Sequence, residues 1–118
     1  MAAGQQTADE VYCIVRQAII DEDVVIASYR GYMREMCPHV IGKKSGRAQA
    51  LLYQFAGQSR SGLKPDGSPD NWRCVRVDEL FDVAIRKSAG EWHTASNYLP
   101  VQTCVDEVDV KVKIGKTL

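Results

Sequence analysis

The sequence lacks an excess of charge of either sign. Fifteen lysines and arginines are matched by fifteen aspartates and glutamates, so the formal net charge at pH 7 is zero. Proteins that bind nucleic acid over most of their surface carry a strong positive charge, and this composition argues against such a binder. A balanced total still permits a local basic patch, because a sum says nothing about how charges are distributed.

Long apolar runs are also lacking. No stretch approaches the roughly 20 consecutive apolar residues that a transmembrane helix needs. Residues 1–6 have neither the basic region nor the apolar region of a secretory signal peptide. We therefore expect a cytoplasmic protein with no membrane partner.

No pair of cysteines has the CxxC spacing that is typical of redox and zinc sites. The four cysteines are Cys13, Cys37, Cys74 and Cys104. Because disulfides are rare in the cytoplasm, we expect reduced thiols. Three of these cysteines, together with His39 and His93, have the ligand types of a zinc site. Only Cys37 and His39 lie close together in the sequence, so the spacing does not favour a metal.

Motifs of catalysis are missing as well. The glycines of residues 57–67 contain no GxxxxGK[ST] sequence, so a P-loop is not indicated. A cysteine beside His39 or His93 would supply a nucleophile and a base. No glycine-flanked turn precedes any cysteine, however, and no oxyanion hole is indicated. We expect a protein that is not an enzyme and that uses no cofactor.

The residues that are present favour one domain with a helix at its start. The length of 118 residues suits a single domain, and we predict a disordered tail over 1–6 and one domain over 7–118. Thr7-Ala8-Asp9-Glu10 has the pattern of a capping box. Apolar residues at helical spacing follow it and predict a helix over 8–20.

Short segments rich in β-branched and aromatic residues follow this helix. The predicted strands cover 24–29, 32–41, 47–55, 72–77, 80–85 and 105–114. A loop rich in Gly, Pro and Ser over 57–71 separates the third strand from the fourth, and loops of this length tend to be functional. One helix followed by short strands favours a mostly-β (α+β) domain that forms a small barrel or sandwich.

The middle of the chain resembles the WYL domain family of bacteria. The segment Arg73-Cys74-Val75-Arg76-Val77-Asp78-Glu79-Leu80 is similar to the family's Arg-x-Phe-x-Leu-Asp-Arg-Ile segment. Val75 stands in place of the usual Phe, and Glu79 in place of the second Arg. Arg34-Glu35-Met36-Cys37-Pro38-His39-Val40-Ile41 is similar to the family's Arg…Pro-x-x-Leu strand.

Two shorter matches complete the resemblance, which covers roughly residues 22–86. Tyr29 corresponds to the tyrosine that ends the family's first strand. Gly46-Arg47, followed by Leu51-Leu52-Tyr53, lies where the family's Trp-Tyr-Leu signature falls. The resemblance implies an SH3-like or Sm-like barrel with strands over 23–86, and a regulatory domain that senses a ligand. It implies a free-standing domain here, because a single helix cannot form a helix-turn-helix.

The candidate ligand site combines arginines with aromatic residues. Arg34 and Arg73 offer planar guanidinium groups whose donors match phosphate or carboxylate. Tyr29, Tyr53 and His39 would shape the site, and rings of this kind stack on bases. We expect a nucleotide, a short single-stranded nucleic acid or another anion as ligand.

Arg76 is expected to stay outside this site. It lies three residues after Arg73, so strand alternation directs the two side chains to opposite faces. We predict that Arg76 is paired with an acidic residue or solvated.

Three alternatives remain open at this stage. The arginines could pair with acidic residues while the aromatic residues form core. A second set of cations could instead form a rim for an anion: Lys43, Lys44, Arg47, Arg60 and Lys64. The chain could also be a structural or interaction protein, in which the strand over 105–114 pairs edge to edge with a second copy or a regulatory partner.

Overall fold

The computed structural model describes residues 6–59, 62–65, 68–87, 91–94 and 102–112. Within them, one α-helix, α1 (Ala8–Asp21), precedes six strands and two 3₁₀ turns. The strands are β1 (Val24–Tyr29), β2 (Tyr32–Lys44), β3 (Arg47–Gly57), β4 (Trp72–Arg76), β5 (Leu80–Arg86) and β6 (Glu107–Lys111). The 3₁₀ turns are Pro69–Asn71 and Val77–Glu79. The prediction of a mostly antiparallel β domain with one N-terminal helix is confirmed.

The ends of α1 follow from local hydrogen bonding. The Thr7 hydroxyl accepts a hydrogen bond from the Glu10 amide, and the Glu10 carboxylate accepts one from the Thr7 amide, so the predicted capping box forms. Glu22 ends the helix in the left-handed conformation, with a φ of 57°. The described structure begins at Gln6, whose side-chain amide exchanges two hydrogen bonds of 2.9 Å with the backbone of Val83.

Two tight hairpins build the centre of the sheet. Arg30-Gly31 joins β1 to β2, and Ser45-Gly46 joins β2 to β3, and all four residues have positive φ. Two-residue loops of this kind match the right-handed twist of antiparallel strands. Because the second loop is so short, β2 extends to Lys44, further toward the loop than predicted, whereas β3 begins at Arg47 as predicted and ends two residues later than predicted, at Gly57.

The sheet has the strand order β4-β3-β2-β1-β5, and β6 pairs with the second half of β2 beyond the end of β1. In a flat sheet of this order, β4 and β5 would lie about 19 Å apart. They are joined only by the 3₁₀ turn Val77–Glu79, which advances about 8 Å. The sheet therefore curls, but no ladder joins β4 to β5 within the described residues, and the predicted barrel is not confirmed.

The two faces of the sheet carry separate clusters of buried side chains. The larger cluster packs α1 against one face and includes Val15, Leu52 and Val75. A smaller cluster on the opposite face is centred on Cys37 and Tyr53. Neighbouring residues of a strand point to opposite faces, and a third small cluster contains Val40, Leu51, Cys104 and Val105.

The C-terminal part of the described chain is bonded covalently to the sheet. Cys74 of β4 and Cys104 form a disulfide, with their Cα atoms 5.7 Å apart. The expectation of reduced thiols is therefore wrong for these two cysteines, whereas Cys13 and Cys37 form no disulfide. Cys74 and Cys104 are thirty residues apart, a spacing that does not indicate a disulfide. The fold brings them together through the β3–β4 pairing and the packing of Val105.

The predicted strand over 105–114 is shorter in the structure. β6 covers Glu107–Lys111, and residues 113 and 114 lie outside the described part of the chain. In the described residues, no helix is long and apolar enough to cross a membrane.

Candidate anion-binding site

Arg34 is a buried cation on the face of the sheet that α1 covers. It shares a face of β2 with Met36, which belongs to the larger core cluster, and only 4% of its surface is exposed. Its Nη1 donates a hydrogen bond of 3.3 Å to Oε1 of Gln54. Its Nε is buried and has no hydrogen-bond acceptor.

Arg73 reaches the same position from β4. It pairs across the β3–β4 ladder with Leu52, which lies two residues before Gln54 on the same face of β3. Its Nε donates a hydrogen bond of 2.9 Å to Oε1 of Gln54, the same oxygen that Arg34 contacts. Its Nη1 donates to the carbonyl of Asp70 at 2.6 Å. The two guanidinium groups that the sequence singles out are therefore held together by one amide oxygen.

Gln54 is the centre of this arrangement and was not identified from the sequence. Its side chain is fully buried, and its Nε2 donates to the carbonyls of Ala56 and Gln58 at 3.0 and 3.1 Å. These two bonds fix the orientation of the amide, so Oε1 faces the arginines. A glutamine in a strand resembles any solvated residue, and the one sequence signal for burial was its place on the same strand face as Leu52.

The two arginines receive little charge compensation from the carboxylates of the described residues. Among the described residues, neither Arg34 nor Arg73 takes part in an ion pair. Burial lowers the pKa of Arg34 below its ordinary value, and the positive charge of Arg73 lowers it further. Burial also lowers the pKa of Arg73, although the charge of Asp70 acts in the opposite direction.

Two tyrosine rings flank the buried guanidinium group. Cζ of Arg34 lies 5.0 Å from the ring centroid of Tyr29 and 5.7 Å from that of Tyr32. Rings at this distance attract a cation through their negative faces. Tyr29, predicted from the sequence, is thus beside Arg34, and Tyr32 is a further neighbour that the sequence interpretation missed.

His39 and Tyr53 lie on the opposite face of the sheet. Both are fully buried, and the His39 ring lies 4.7 Å from Trp72 and 4.8 Å from Trp92. Nδ1 of His39 donates to the Cys37 carbonyl at 2.8 Å. Of the five predicted ligand residues, the structure therefore brings together Tyr29, Arg34 and Arg73, and separates His39 and Tyr53 from them.

The remaining candidates have other arrangements. Arg76 pairs with Asp78 at 3.0 Å and with Glu79 at 3.8 Å, as expected for an arginine outside the site. Lys44 pairs with Asp106 at 3.2 Å. Arg60 of the predicted cationic rim lies outside the described residues.

The zinc hypothesis meets a chemical obstacle. Cys74 and Cys104 are bonded to each other and cannot serve as thiolate ligands. Within the part of the chain that the structure describes, no three His, Cys, Asp or Glu residues gather in a way that could hold a metal ion.

Comparison with known proteins adds no relative to this description. No family model, no curated protein and no solved structure matches the chain significantly.

Proposed function

We propose that this chain is a non-catalytic binding protein for a small anionic ligand, and that a nucleotide or a short single-stranded nucleic acid is the class it takes. The single observation that carries the proposal is the sharing of one Gln54 oxygen by Arg34 and Arg73. Two guanidinium groups held side by side match the spacing of oxygens on a phosphate or carboxylate.

The energetics of the arginine pair favour an anion. Bringing two like charges together out of water is costly unless an opposite charge compensates them, and a neutral amide oxygen compensates them only in part. Nε of Arg34 lacks an acceptor. Nη2 of Arg73 also lacks one among the described residues. A bound phosphate would accept from such donors and reduce the repulsion between the two cations.

A purely structural role for the pair is the competing explanation. The Gln54 side chain accepts hydrogen bonds from both guanidinium groups, and the Asp70 carbonyl accepts one from Arg73. The Tyr29 ring contacts Arg34 without any ligand. If the pair binds an anion, a ligand should raise the melting temperature and the rise should depend on Arg73. If the pair is only structural, Arg73 affects stability but not the response to ligand. The measurement is therefore the ligand-induced change in melting temperature.

The test compares two arginine variants of β4 by thermal unfolding. Arg73→Gln removes a cation of the pair, whereas Arg76→Gln is a matched control outside it, because Arg76 pairs with Asp78. The panel contains ATP, a ten-nucleotide oligothymidylate and inorganic phosphate, with uncharged thymidine as the ligand control. At a hundredfold excess over Kd, a ligand adds about 2.7 kcal/mol to the free energy of unfolding.

We expect at least one phosphate-bearing ligand to raise the melting temperature of the wild type and of Arg76→Gln, and the rise to shrink with added salt. Loss of one charged hydrogen-bonding group costs about 1.5–3 kcal/mol, so Arg73→Gln should bind roughly 10- to 100-fold more weakly. The proposal fails if no member of the panel shifts the wild type, or if Arg73→Gln responds as the wild type does.

The proposal extends to the architecture and kinship of the chain. We propose that β1 to β5 form an SH3-like or Sm-like barrel, related to WYL domains, that is open between β4 and β5. The short 3₁₀ connection between those strands supports this. A sensor or accessory role would follow from that kinship. The cytoplasmic location also remains a prediction, and the Cys74–Cys104 disulfide weighs against it, because disulfides persist mainly in oxidising compartments.

A second candidate function is assembly through β6. This strand pairs with β2 along one edge, and no strand covers its other edge within the described residues. Val108 of β6 is 45% exposed. If β6 joins two copies, sedimentation velocity should detect a concentration-dependent dimer that Val108→Lys abolishes. A monomer at every concentration would contradict this alternative and leave the anion-binding proposal unaffected.

A further inference from the structure

A second potential site lies around the disulfide, at the opposite end of β3 from Gln54. An open cleft of about 510 Å³ is lined by both cysteines of the disulfide. The rest of its wall comes from the hairpin turn between β2 and β3, from β3 itself and from the segment before β6. The other lining residues are Lys44, Ser45, Arg47, Gln49, Leu51, Gln102 and Thr103. None of the residues assigned to the anion site lines this cleft.

The two sulfur atoms differ in their access to solvent. Cys74 is exposed, whereas Cys104 is only 8% exposed. Thiol–disulfide exchange requires a thiolate to approach one sulfur directly. The geometry therefore favours attack at Sγ of Cys74, with Cys104 as the sulfur that leaves.

Gln49 supplies a hydrogen-bond donor to the disulfide. Its Nε2 lies 3.4 Å from Sγ of Cys74 and 3.9 Å from Sγ of Cys104. The same nitrogen donates to the Cys104 carbonyl at 2.8 Å, which holds the amide against the disulfide. The contact to Sγ of Cys104, the leaving sulfur, is the longer of the two, and the Ala50 carbonyl lies 3.5 Å from that sulfur, so the amide orients the disulfide more than it stabilises the departing thiolate.

The charge of the cleft selects among attacking thiols. Lys44 and Arg47 line it, and no Asp or Glu is among its described lining residues. Lys44 is partly compensated because its Nζ contacts Asp106 at 3.2 Å and the Thr103 carbonyl at 3.0 Å. Arg47 takes part in no ion pair within the described residues, so it contributes an uncompensated positive charge beside the sulfurs.

We propose that this cleft is a thiol–disulfide exchange site that takes small anionic thiols. The incoming thiolate forms a bond to Sγ of Cys74 while the Cys74–Cys104 bond breaks, and the electron pair of the broken bond passes to Sγ of Cys104. The product is a mixed disulfide on Cys74 and a thiolate on Cys104. A second thiolate then attacks the sulfur of the bound thiol, which releases a small-molecule disulfide and leaves both cysteines reduced.

The test compares thiols of opposite charge on the intact, oxidised chain. Exchange is followed by mass spectrometry after acid quenching, with 2-mercaptoethanesulfonate as the anionic thiol and cysteamine as the cationic one. Each rate constant is expressed per thiolate, from the measured pKa of each thiol. Arg47→Gln removes the uncompensated cation, and Lys43→Gln is the matched control, because Lys43 is exposed and does not line the cleft.

At low ionic strength we expect the anionic thiol to react about three- to tenfold faster than the cationic one, as a charge contact of about 1 kcal/mol in water implies. The mixed disulfide should map to Cys74. The preference should fall toward unity in Arg47→Gln and in high salt, and persist in Lys43→Gln. Equal rates for the two thiols, an unchanged preference in Arg47→Gln, or free thiols at Cys74 and Cys104 in protein alkylated before purification would each overturn the proposal.

Discussion

Reduction of the Cys74–Cys104 disulfide is expected to lower the free energy of unfolding by roughly 3–4 kcal/mol at 25 °C. The bond joins residues thirty positions apart, and a cross-link of that span removes conformational entropy from the unfolded chain by about this amount. For a chain of this size the melting temperature should fall by about 10–15 °C.

The expected loss is large because the bond joins two segments that have few other connections. β4 is a five-residue strand that, among the described strands, pairs with β3 alone. The segment before β6 is held by Gln49, by Lys44 and by the burial of Val105. These contacts connect the segment to β2 and β3, and the disulfide is its covalent connection to β4, so local opening between the segment and β4 should accompany the global loss.

Urea denaturation with and without a phosphine reductant measures this effect. The double variant Cys74→Ser/Cys104→Ala should be about as stable as the reduced wild type, and reductant should not change it. Cys13→Ser, which removes an exposed free thiol, should keep the full response to reductant. A difference below about 1 kcal/mol between oxidised and reduced wild type would contradict the entropic argument.

Acidification is expected to destabilise the fold by roughly 3 kcal/mol between pH 6.5 and pH 4 through His39 alone. Burial lowers the pKa of His39 from 6.5 to about 4, and the nearby His93 lowers it slightly further, although the hydrogen bond to the Cys37 carbonyl opposes the shift. The imidazole lies between the Trp72 and Trp92 rings, where a charged ring would lose its hydration.

The direction of the effect follows from proton binding. Above pH 6.5 His39 is neutral in both states and contributes nothing to the pH dependence. As the pH falls from 6.5 to 4, the unfolded chain binds a proton that the folded chain does not, so the unfolded state gains stability. Asp109, whose pKa is lowered mainly by the Tyr12 hydroxyl and by Arg16, loses its contribution only at lower pH, near and below its ordinary value of 3.8.

His39→Asn isolates this contribution, because an asparagine amide can still donate to the Cys37 carbonyl. The variant should be less stable at pH 7, since it lacks the ring packing, but its stability should change far less between pH 6.5 and pH 4.5. Urea midpoints across this range provide the measurement. Equal pH slopes for wild type and variant would show that His39 is not the group responsible.

The helix and the hairpins were predictable because their signals are local. The capping box starts α1, and the two Gly-containing turns at Gly31 and Gly46 define β1, β2 and β3. The sequence predicted a small barrel or sandwich but not how the sheet curls. The curl depends on the short turn Val77–Glu79 and on pairing between distant strands.

The candidate site was only partly predictable, because it depends on strand register. Arg34 and Arg73 share a face because Arg73 pairs with Leu52, and Leu52 pairs with Pro38, which lies on the same face of β2 as Arg34. A single shift of register exchanges the faces of every following side chain. Tyr53 and His39 were grouped with the arginines by residue type, sequence position and the family resemblance, none of which reports this register, and Gln54 was overlooked although it contacts both arginines.

The disulfide was not predictable, because neither the spacing of the four cysteines nor the composition of the chain indicates one. Cys74 and Cys104 approach each other only when β4 pairs with β3 and the segment before β6 packs across β3. The inference of reduced thiols rested on the expected compartment instead of on the residues themselves.

The arginine pair is the central claim, and Gln54→Glu tests it most directly. The substitution keeps the size of the side chain and supplies a negative charge that would pair with both guanidinium groups. It also removes the two hydrogen bonds from Nε2 to the carbonyls of Ala56 and Gln58, so a cooperative thermal unfolding transition of the variant is required before the titration. Calorimetric titration of the strongest ligand from the phosphate panel into wild type and variant is the measurement. We predict at least tenfold weaker binding by Gln54→Glu, because the internal carboxylate competes with the ligand for Arg34 and Arg73. Equal affinity in the two proteins would show that the pair does not bind the anion.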